Sequence, residues 1–416
     1  MPFEPPSLRI PPLRVPRLRV GAASVVPEAH EAPRPEACRD LAPAPPARLS
    51  PHGRAERRPA GLPASSAGSR PTFVAVDLGT NNCRMLAARP DPRGGFRVVD
   101  SFSRITRLGE GLHDSNQLSE AAMARTVEAL RACARKMSRH HVAGARMVAT
   151  AACRHAANGA AFLHRVEVET GLRLEIIPPD EEARLALAGC APLLRPGCRG
   201  AVVFDIGGGS TELMWVAPGG DARDHGEGDS GTGGDDGEGG VNGRGRPRGP
   251  RIVAMASLPV GVVTLAEARG GDLGDQDYAQ VVDEVRRALR DFDGCHGISE
   301  RLAMGEPIQM LGTSGTVTTL GGVMLDLPRY NRDSVDGLEV DFLSIRAVSR
   351  RLRTMTCDQR ARHPCIGTDR ADLVVAGCAI LEAICDLWPT GRLRIADRGI
   401  REGVLMDLMR AARVLA

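Results

Sequence analysis

Val74-Ala75-Val76-Asp77-Leu78-Gly79-Thr80-Asn81 and Val202-Val203-Phe204-Asp205-Ile206-Gly207-Gly208-Gly209-Ser210-Thr211 are two versions of one phrase. Each is an apolar, β-rich run that ends in Asp-x-Gly and a hydroxyl residue. Each then resumes as a second apolar run, Cys83-Arg84-Met85-Leu86-Ala87-Ala88 in the first case and Glu212-Leu213-Met214-Trp215-Val216 in the second. The pattern predicts a strand, a tight glycine turn and a returning strand. Glycine lets backbone N–H groups approach an anion, and the hydroxyls add donors. An Asp at the mouth of each turn suits a hard cation, usually through water for Mg²⁺. A single Asp-x-Gly does no more than shape a hairpin. Two matched copies facing each other would clamp a phosphate and its metal from both sides.

Composition bounds the rest. The chain has 416 residues, long enough for two or three domains and a sizeable core. Aromatic residues are scarce, so that core rests on Val, Leu, Ile, Ala and Met. A formal net charge of +3 implies no broad nucleic-acid surface. Lys136 is the sole lysine, so arginine carries nearly all the positive charge, and an arginine in this chain is weak evidence of a phosphate site. The 11 cysteines are scattered and contain no C-x-x-C pair, which favours reduced thiols in a cytoplasmic protein over disulfides or zinc. No apolar run reaches the length of a membrane span, and the Pro- and Arg-rich start lacks the apolar region of a secretory signal.

Along the chain, residues 1–70 are rich in Pro, Ala and Arg and read as a disordered arm. A first domain is expected over 71–190 and a second over 191–416. In the first, Ser119 caps a helix from Glu120 towards Met137, and a strand is expected at Leu172–Ile177 before a helix through Glu181 and Glu182. In the second, residues 218–250 form a Gly- and acid-rich stretch with almost no apolar residues, expected to be a solvated insertion between two strands. Beyond it come a strand–turn–helix around Gly312-Thr313-Ser314-Gly315, a helix over Asp369–Leu387 and a final helix opened by Arg401-Glu402-Gly403.

The glycine turns around Gly79, Gly207 to Gly209, and Gly312 to Gly315 would line one interlobe cleft. None matches a Walker A or a dinucleotide G-x-G-x-x-G pattern, and neither H-E-x-x-H nor G-x-S-x-G occurs. The chemistry left is anion-cradling backbone, Asp for metal, Arg for phosphate and Glu as a base. Thr150 and Arg154 fall where a strand gives way to a polar turn, at the strand end where open α/β sheets bind ligands. Glu181 and Glu182 begin a helix, where acidic residues also simply complement the dipole. A hydrolase without a nucleophile still needs a base to orient water, and Glu182 or Glu212 would serve.

The motifs then carry a resemblance. Asp77-Leu78-Gly79-Thr80-Asn81, Arg107-Leu108-Gly109-x-Gly111, Thr150-x-x-x-Arg154 with Asn158, Glu181-Glu182-Ala183-Arg184-Leu185, Asp205 to Leu213, Gly312 to Thr316, and Arg401-Glu402-Gly403 occur in this order. The series resembles the exopolyphosphatase / guanosine pentaphosphate phosphohydrolase family over about Phe73 to Leu408. The resemblance implies an α/β fold of two ribonuclease-H-like (actin-like ATPase) domains with a central interlobe cleft. It implies Mg²⁺-dependent release of orthophosphate from inorganic polyphosphate or from the 5′ end of guanosine pentaphosphate. By motif, Glu182 would activate water and Arg154 would neutralise the substrate chain. Asp77, Asp205 and Glu212 would place metal and water. Thr80, Asn81, Thr150, Gly207, Gly208, Gly209, Ser210, Gly312, Ser314 and Gly315 would meet phosphate. A homodimer is a further expectation, with neither nucleic acid nor membrane as partner. The short length after Arg401 matches two-domain members, and the 218–250 insertion departs from the pattern. Two alternatives stand beside hydrolysis: a non-catalytic polyphosphate or alarmone sensor, and an ATP-using kinase of the same superfamily.

Overall fold

The computed structural model describes residues 71–217, 219 and 249–415. The expected arm at 1–70 and nearly all of the 218–250 insertion lie outside the described residues. Within them the chain builds one sheet, then a second on the same plan.

The first lobe contains β1 (Thr72–Leu78), β2 (Asn82–Pro90), β3 (Phe96–Ile105), α1 (Leu112–Ser115), α2 (Glu120–Met137), β4 (Val142–Ala149), α3 (Ala151–His155), α4 (Gly159–Thr170), β5 (Glu175–Ile176) and α5 (Pro179–Cys190). Its sheet order is β3-β2-β1-β4-β5. The second lobe contains β6 (Gly200–Ile206), β7 (Thr211–Ala217), β8 (Arg251–Leu258), α6 (Val262–Arg269), α7 (Asp275–His296), α8 (Ile298–Ala303), β9 (Ile308–Thr313), α9 (Gly315–Met324), α10 (Arg332–Val335), β10 (Glu339–Asp341), α11 (Phe342–Thr354), α12 (Cys357–Ala361), α13 (Val374–Leu387), β11 (Arg392–Ala396) and α14 (Ile400–Ala411). Its order is β10-β11-β9-β6-β7-β8. In both sheets three consecutive strands pair antiparallel, and the first of them also pairs in parallel with the next strand along the chain. The duplication read from the hairpins therefore extends to whole sheets.

Strand periodicity explains how three cores fit. Phe73 and Ala75 of β1 face one way, while Val74, Val76 and Leu78 face the other, into the first lobe's own core. Likewise Ala201 and Val203 of β6 face the shared side, and Val202, Phe204 and Ile206 enter the second lobe's core. The shared side is filled by α5 and α14, which pack on each other from either side of the expected division at 190/191. A Cβ on Gly403 of α14 would lie 2.1 Å from the carbonyl oxygen of Leu185, so only glycine lets the two backbones meet this closely. This apolar joint forms the floor from which the cleft opens.

Three expectations are corrected. The strand expected over Leu172–Ile177 pairs only at Glu175–Ile176, because Leu172 and Leu174 turn into the first lobe's core instead of joining a ladder. The helix expected from Asp369 begins at Val374, after a turn containing Gly367 at φ 74°. The polar turn expected after Thr150 is the short helix α3, with Thr150 at its N-cap. Among the described residues, no helix is long and apolar enough to cross a membrane.

Candidate active site

Both hairpins close their turns with the same hydrogen bond, Gly79 N–H to Asn82 O at 2.9 Å and Gly207 N–H to Ser210 O at 2.8 Å. The two turns then meet. A Cβ on Gly208 would lie 3.0 Å from the Cβ of Thr80 and 3.3 Å from the amide nitrogen of Asn81. Behind the second turn, α6 begins by donating Val262 N–H to Gly207 O at 3.0 Å and Val263 N–H to Gly208 O at 2.8 Å. With those carbonyls engaged, the side left to an anion is the N–H side.

A cleft open to solvent lies between the lobes. It brings together Asp77, Thr80, Asn81, Thr150, Glu182, Asp205, Gly207, Gly208, Gly209, Ser210, Glu212, Ser314 and Gly315 of the expected site. Two expected residues stand elsewhere. Gly312 lies inside β9, where a Cβ would strike the Phe204 ring at 2.6 Å; it is glycine for packing and does not reach the cleft. Arg154 sits behind the lining, where its guanidinium Nη1 donates to Ile177 O at 2.7 Å and to Glu182 Oε2 at 3.2 Å. It holds a carboxylate of the cleft, and its Nε is buried with no hydrogen-bond partner. Ser314 does line the cleft, but its hydroxyl caps α9 by accepting from Thr316 N–H and Val317 N–H.

Four carboxylates crowd the floor. Asp77 and Asp205 end corresponding strands, Glu212 stands directly across from Asp205 on β7, and Glu182 enters from the first turn of α5. Burial raises the Asp205 carboxyl to about 7, with Glu212 and Asp77 adding to the effect and Arg84 opposing it. Burial and the neighbouring Glu212 also hold Glu182 well above the usual carboxylate range, against the pull of Arg154. Glu212 is raised by burial although Ser210 and Ser257 donate their hydroxyls to its Oε1 at 2.6 and 3.1 Å. Asp77 is raised by burial, partly offset by Arg401 and Arg84. The adjacent Glu181 behaves oppositely. It pairs with Arg184 and Arg146, and hydrogen bonds from Arg184 lower its carboxyl. One glutamate of the pair is thus a surface ion-pair partner, and the other faces the cleft.

Sequence reading missed the cations of the cleft. Arg84, Arg370, Arg398 and Arg401 all line it. Arg398 is bound to Asp336 at 2.6 Å, whereas Arg370 donates to the neutral Thr319 hydroxyl at 3.0 Å. Burial, with the like charge of Arg84, lowers the Arg370 guanidinium from its ordinary value, against the pull of Tyr330, Asp397 and Asp369. Arg84 carried a readable signal, since it faces Asp77 across the first hairpin as Glu212 faces Asp205 across the second.

The donor set also suits a hard cation. Asp77, Asp205 and Glu212 present oxygen, and Asn81 Oδ1 is buried without a hydrogen-bond partner. Among the described residues no group of three or more His, Cys, Asp or Glu side chains is placed to hold a metal ion. A Mg²⁺ ion here would have to take one or two of these carboxylates and complete its shell with water and substrate oxygens.

Comparison with known proteins bears on the family and the fold. The profile of the Ppx/GppA phosphatase family matches residues 88–412. Exopolyphosphatase 2 of Mycobacterium tuberculosis is 27% identical over 351 residues, covering 80% of this chain and 98% of that protein. Among solved structures, an exopolyphosphatase from Cytophaga hutchinsonii aligns over 83% of this chain and 100% of its own, with a TM-score of 0.67 and 19% identity. The Aquifex aeolicus Ppx/GppA family member aligns over 82% and 98%, with a TM-score of 0.61 and 24% identity. These two structures speak to the fold: two actin-like lobes with a cleft between them.

Proposed function

The chain belongs to the Ppx/GppA phosphatase family, and from that premise we propose that it is an exopolyphosphatase, hydrolysing the terminal phosphoanhydride of inorganic polyphosphate to orthophosphate. The observation that carries this reading is the polarity of the cleft. Two glycine turns, the Arg84 and Arg370 guanidiniums and the carboxylates of Asp77, Glu182, Asp205 and Glu212 line one space. Such a site offers a polyanion backbone amides and cations beside groups that manage water and charge. Phosphoryl transfer asks little more than positioning and electrostatic stabilisation.

The terminal phosphoryl group lies against the Gly207–Ser210 and Thr80–Asn81 turns, with the preceding phosphates towards Arg84 and Arg370. Glu182 orients a water and takes its proton as the oxygen–phosphorus bond forms. The anhydride bond breaks, orthophosphate departs, and the chain leaves one unit shorter. Arg154 holds the Glu182 carboxylate in place. Asp77, Asp205 and Glu212 would hold Mg²⁺, which supplies charge neutralisation for the phosphates when bound.

Guanosine pentaphosphate offers the same terminal anhydride. The described lining contains no aromatic ring on which a base would stack, so polyphosphate stands first. The test is orthophosphate release by the purified protein with Mg²⁺ from long polyphosphate, short polyphosphate, guanosine pentaphosphate and ATP. Release from polyphosphate at the highest kcat/KM supports the proposal. Release from guanosine pentaphosphate alone makes the protein an alarmone phosphohydrolase. Tight binding without any release makes it a sensor.

A further inference from the structure

The Arg107-Leu108-Gly109-Glu110-Gly111 loop has no part in the chemistry above, yet it touches both halves of the cleft. On its own lobe it backs the first phosphate turn. Thr106 and Arg107 N–H donate to Asn81 O at 2.9 and 3.1 Å, and Gly109 N–H donates to Thr80 O at 2.9 Å. From behind, Arg125 holds the loop through Thr106 O at 3.1 Å. Arg107 takes a left-handed backbone, φ 47°, which a residue with a side chain adopts only when its surroundings enforce it.

From that position its guanidinium crosses to the second lobe, meeting Asp372 Oδ1 at 2.9 Å and Asp369 O at 3.3 Å. These residues flank Arg370, the buried cation of the cleft. A second crossing runs from Gly111 N–H to Glu267 Oε1 of α6 at 3.0 Å, and α6 is the helix that engages the Gly207 and Gly208 carbonyls. The loop is therefore tied to the first turn by backbone and to the second turn and Arg370 by charge.

We propose that Arg107 and Asp372 are a positioning pair, whose ion pair beside the cleft sets the Thr80–Asn81 turn and Arg370 at the spacing that one polyphosphate chain requires. The inference rests on the exopolyphosphatase reading for its substrate and on geometry alone for the clasp. The pair bridges the two lobes beside the cleft, outside its lining, next to the place where the two turns meet.

Charge reversal tests the pair. Arg107→Asp and Asp372→Arg are each compared with the double reversal in the full-length protein, reading kcat and KM for polyphosphate and the radius of gyration by small-angle X-ray scattering. Each single variant is expected to raise KM about five- to tenfold with kcat nearly unchanged, and to expand the ligand-free particle. The double variant restores both readings to within about twofold, which a merely structural role for either residue would not produce. Folded single variants with unchanged KM and unchanged radius would overturn the proposal. So would a double variant as impaired as the worse single. If the wild-type protein releases no phosphate, the substrate reading has failed, and the scattering data alone decide the clasp.

Discussion

The β1–β2 and β6–β7 hairpins close with the same turn hydrogen bond and set an Asp at the same place in their strands. They differ in what faces that Asp. Asp77 looks across at Arg84, while Asp205 looks across at Glu212. Opposite charges in directly paired positions stabilise a hairpin and like charges weaken it. The first copy thus answers its own charge and leaves a guanidinium at the phosphate side. The second keeps two buried acids together, with Asp205 pushed to about 7, and waits for a ligand to relieve them. The same frame, used twice, makes one wall of the cleft with a cation across from its Asp and one with a second acid there.

The sharpest way to break this contrast is Glu212→Gln. It keeps an acceptor for Ser210 and Ser257 but removes the like charge. Turnover is expected to fall by about 10²-fold or more, while the ligand-free protein becomes more stable at pH 8 in a denaturant titration. Unchanged turnover with unchanged stability would mean that the second hairpin's acids do not act together.

A smaller effect is expected from Asp205→Asn, read as stability against pH in the presence of a chelator. A carboxyl whose folded pKa lies above its unfolded value contributes stability that is fully present below the unfolded pKa and lost as pH rises through the folded one. Asp205 therefore weakens the ligand-free fold as pH climbs from about 4 through about 7. The Asn variant should lose less stability over this window and exceed wild type above neutral pH. Parallel curves for the two proteins would deny the strain assigned to this pair.

The smallest effect belongs to the first hairpin. Arg84→Gln should raise KM for polyphosphate by about tenfold, through one lost charge-assisted contact, with kcat changed far less. Its stability should fall more steeply with rising pH than that of wild type, because Arg84 opposes the rise of both the Asp205 and Asp77 carboxyls. A collapse of kcat in Arg84→Gln would erase the distinction between the two walls.

Much of this architecture was legible in the chain. Alternating apolar runs around Asp-x-Gly located both hairpins, because a strand buried on both faces and a glycine turn leave strong local marks. Ser119 marked a helix start at the residue whose side chain caps it in the structure. Helix α6 left no such mark. Its Val-Val-Thr start favours strand, and it is helical where its first amides meet the Gly207 and Gly208 carbonyls. Glu182 was legible from its motif and not from composition, since an acid at a helix start has an ordinary reason to be there. Its distinction from Glu181 appears only when Arg146 and Arg184 claim the latter. Arg84, Arg370 and Arg401 stayed hidden because arginine supplies nearly every positive charge here, and only the fold separates a cleft cation from a surface one. Gly312 misled for the opposite reason. It belongs to a glycine-rich stretch, but its lack of a side chain serves the Phe204 ring.

The central claim is that Glu182, held by Arg154 on the cleft floor, is the base of a polyphosphate hydrolase. The most direct measurement is single-turnover release of orthophosphate from polyphosphate by Glu182→Gln, alongside polyphosphate binding and thermal unfolding of the same protein. The account predicts a loss of about 10²- to 10⁴-fold in the chemical step, with binding and folding retained. Release at the wild-type rate by a folded Glu182→Gln would contradict it and move the base elsewhere in the cleft.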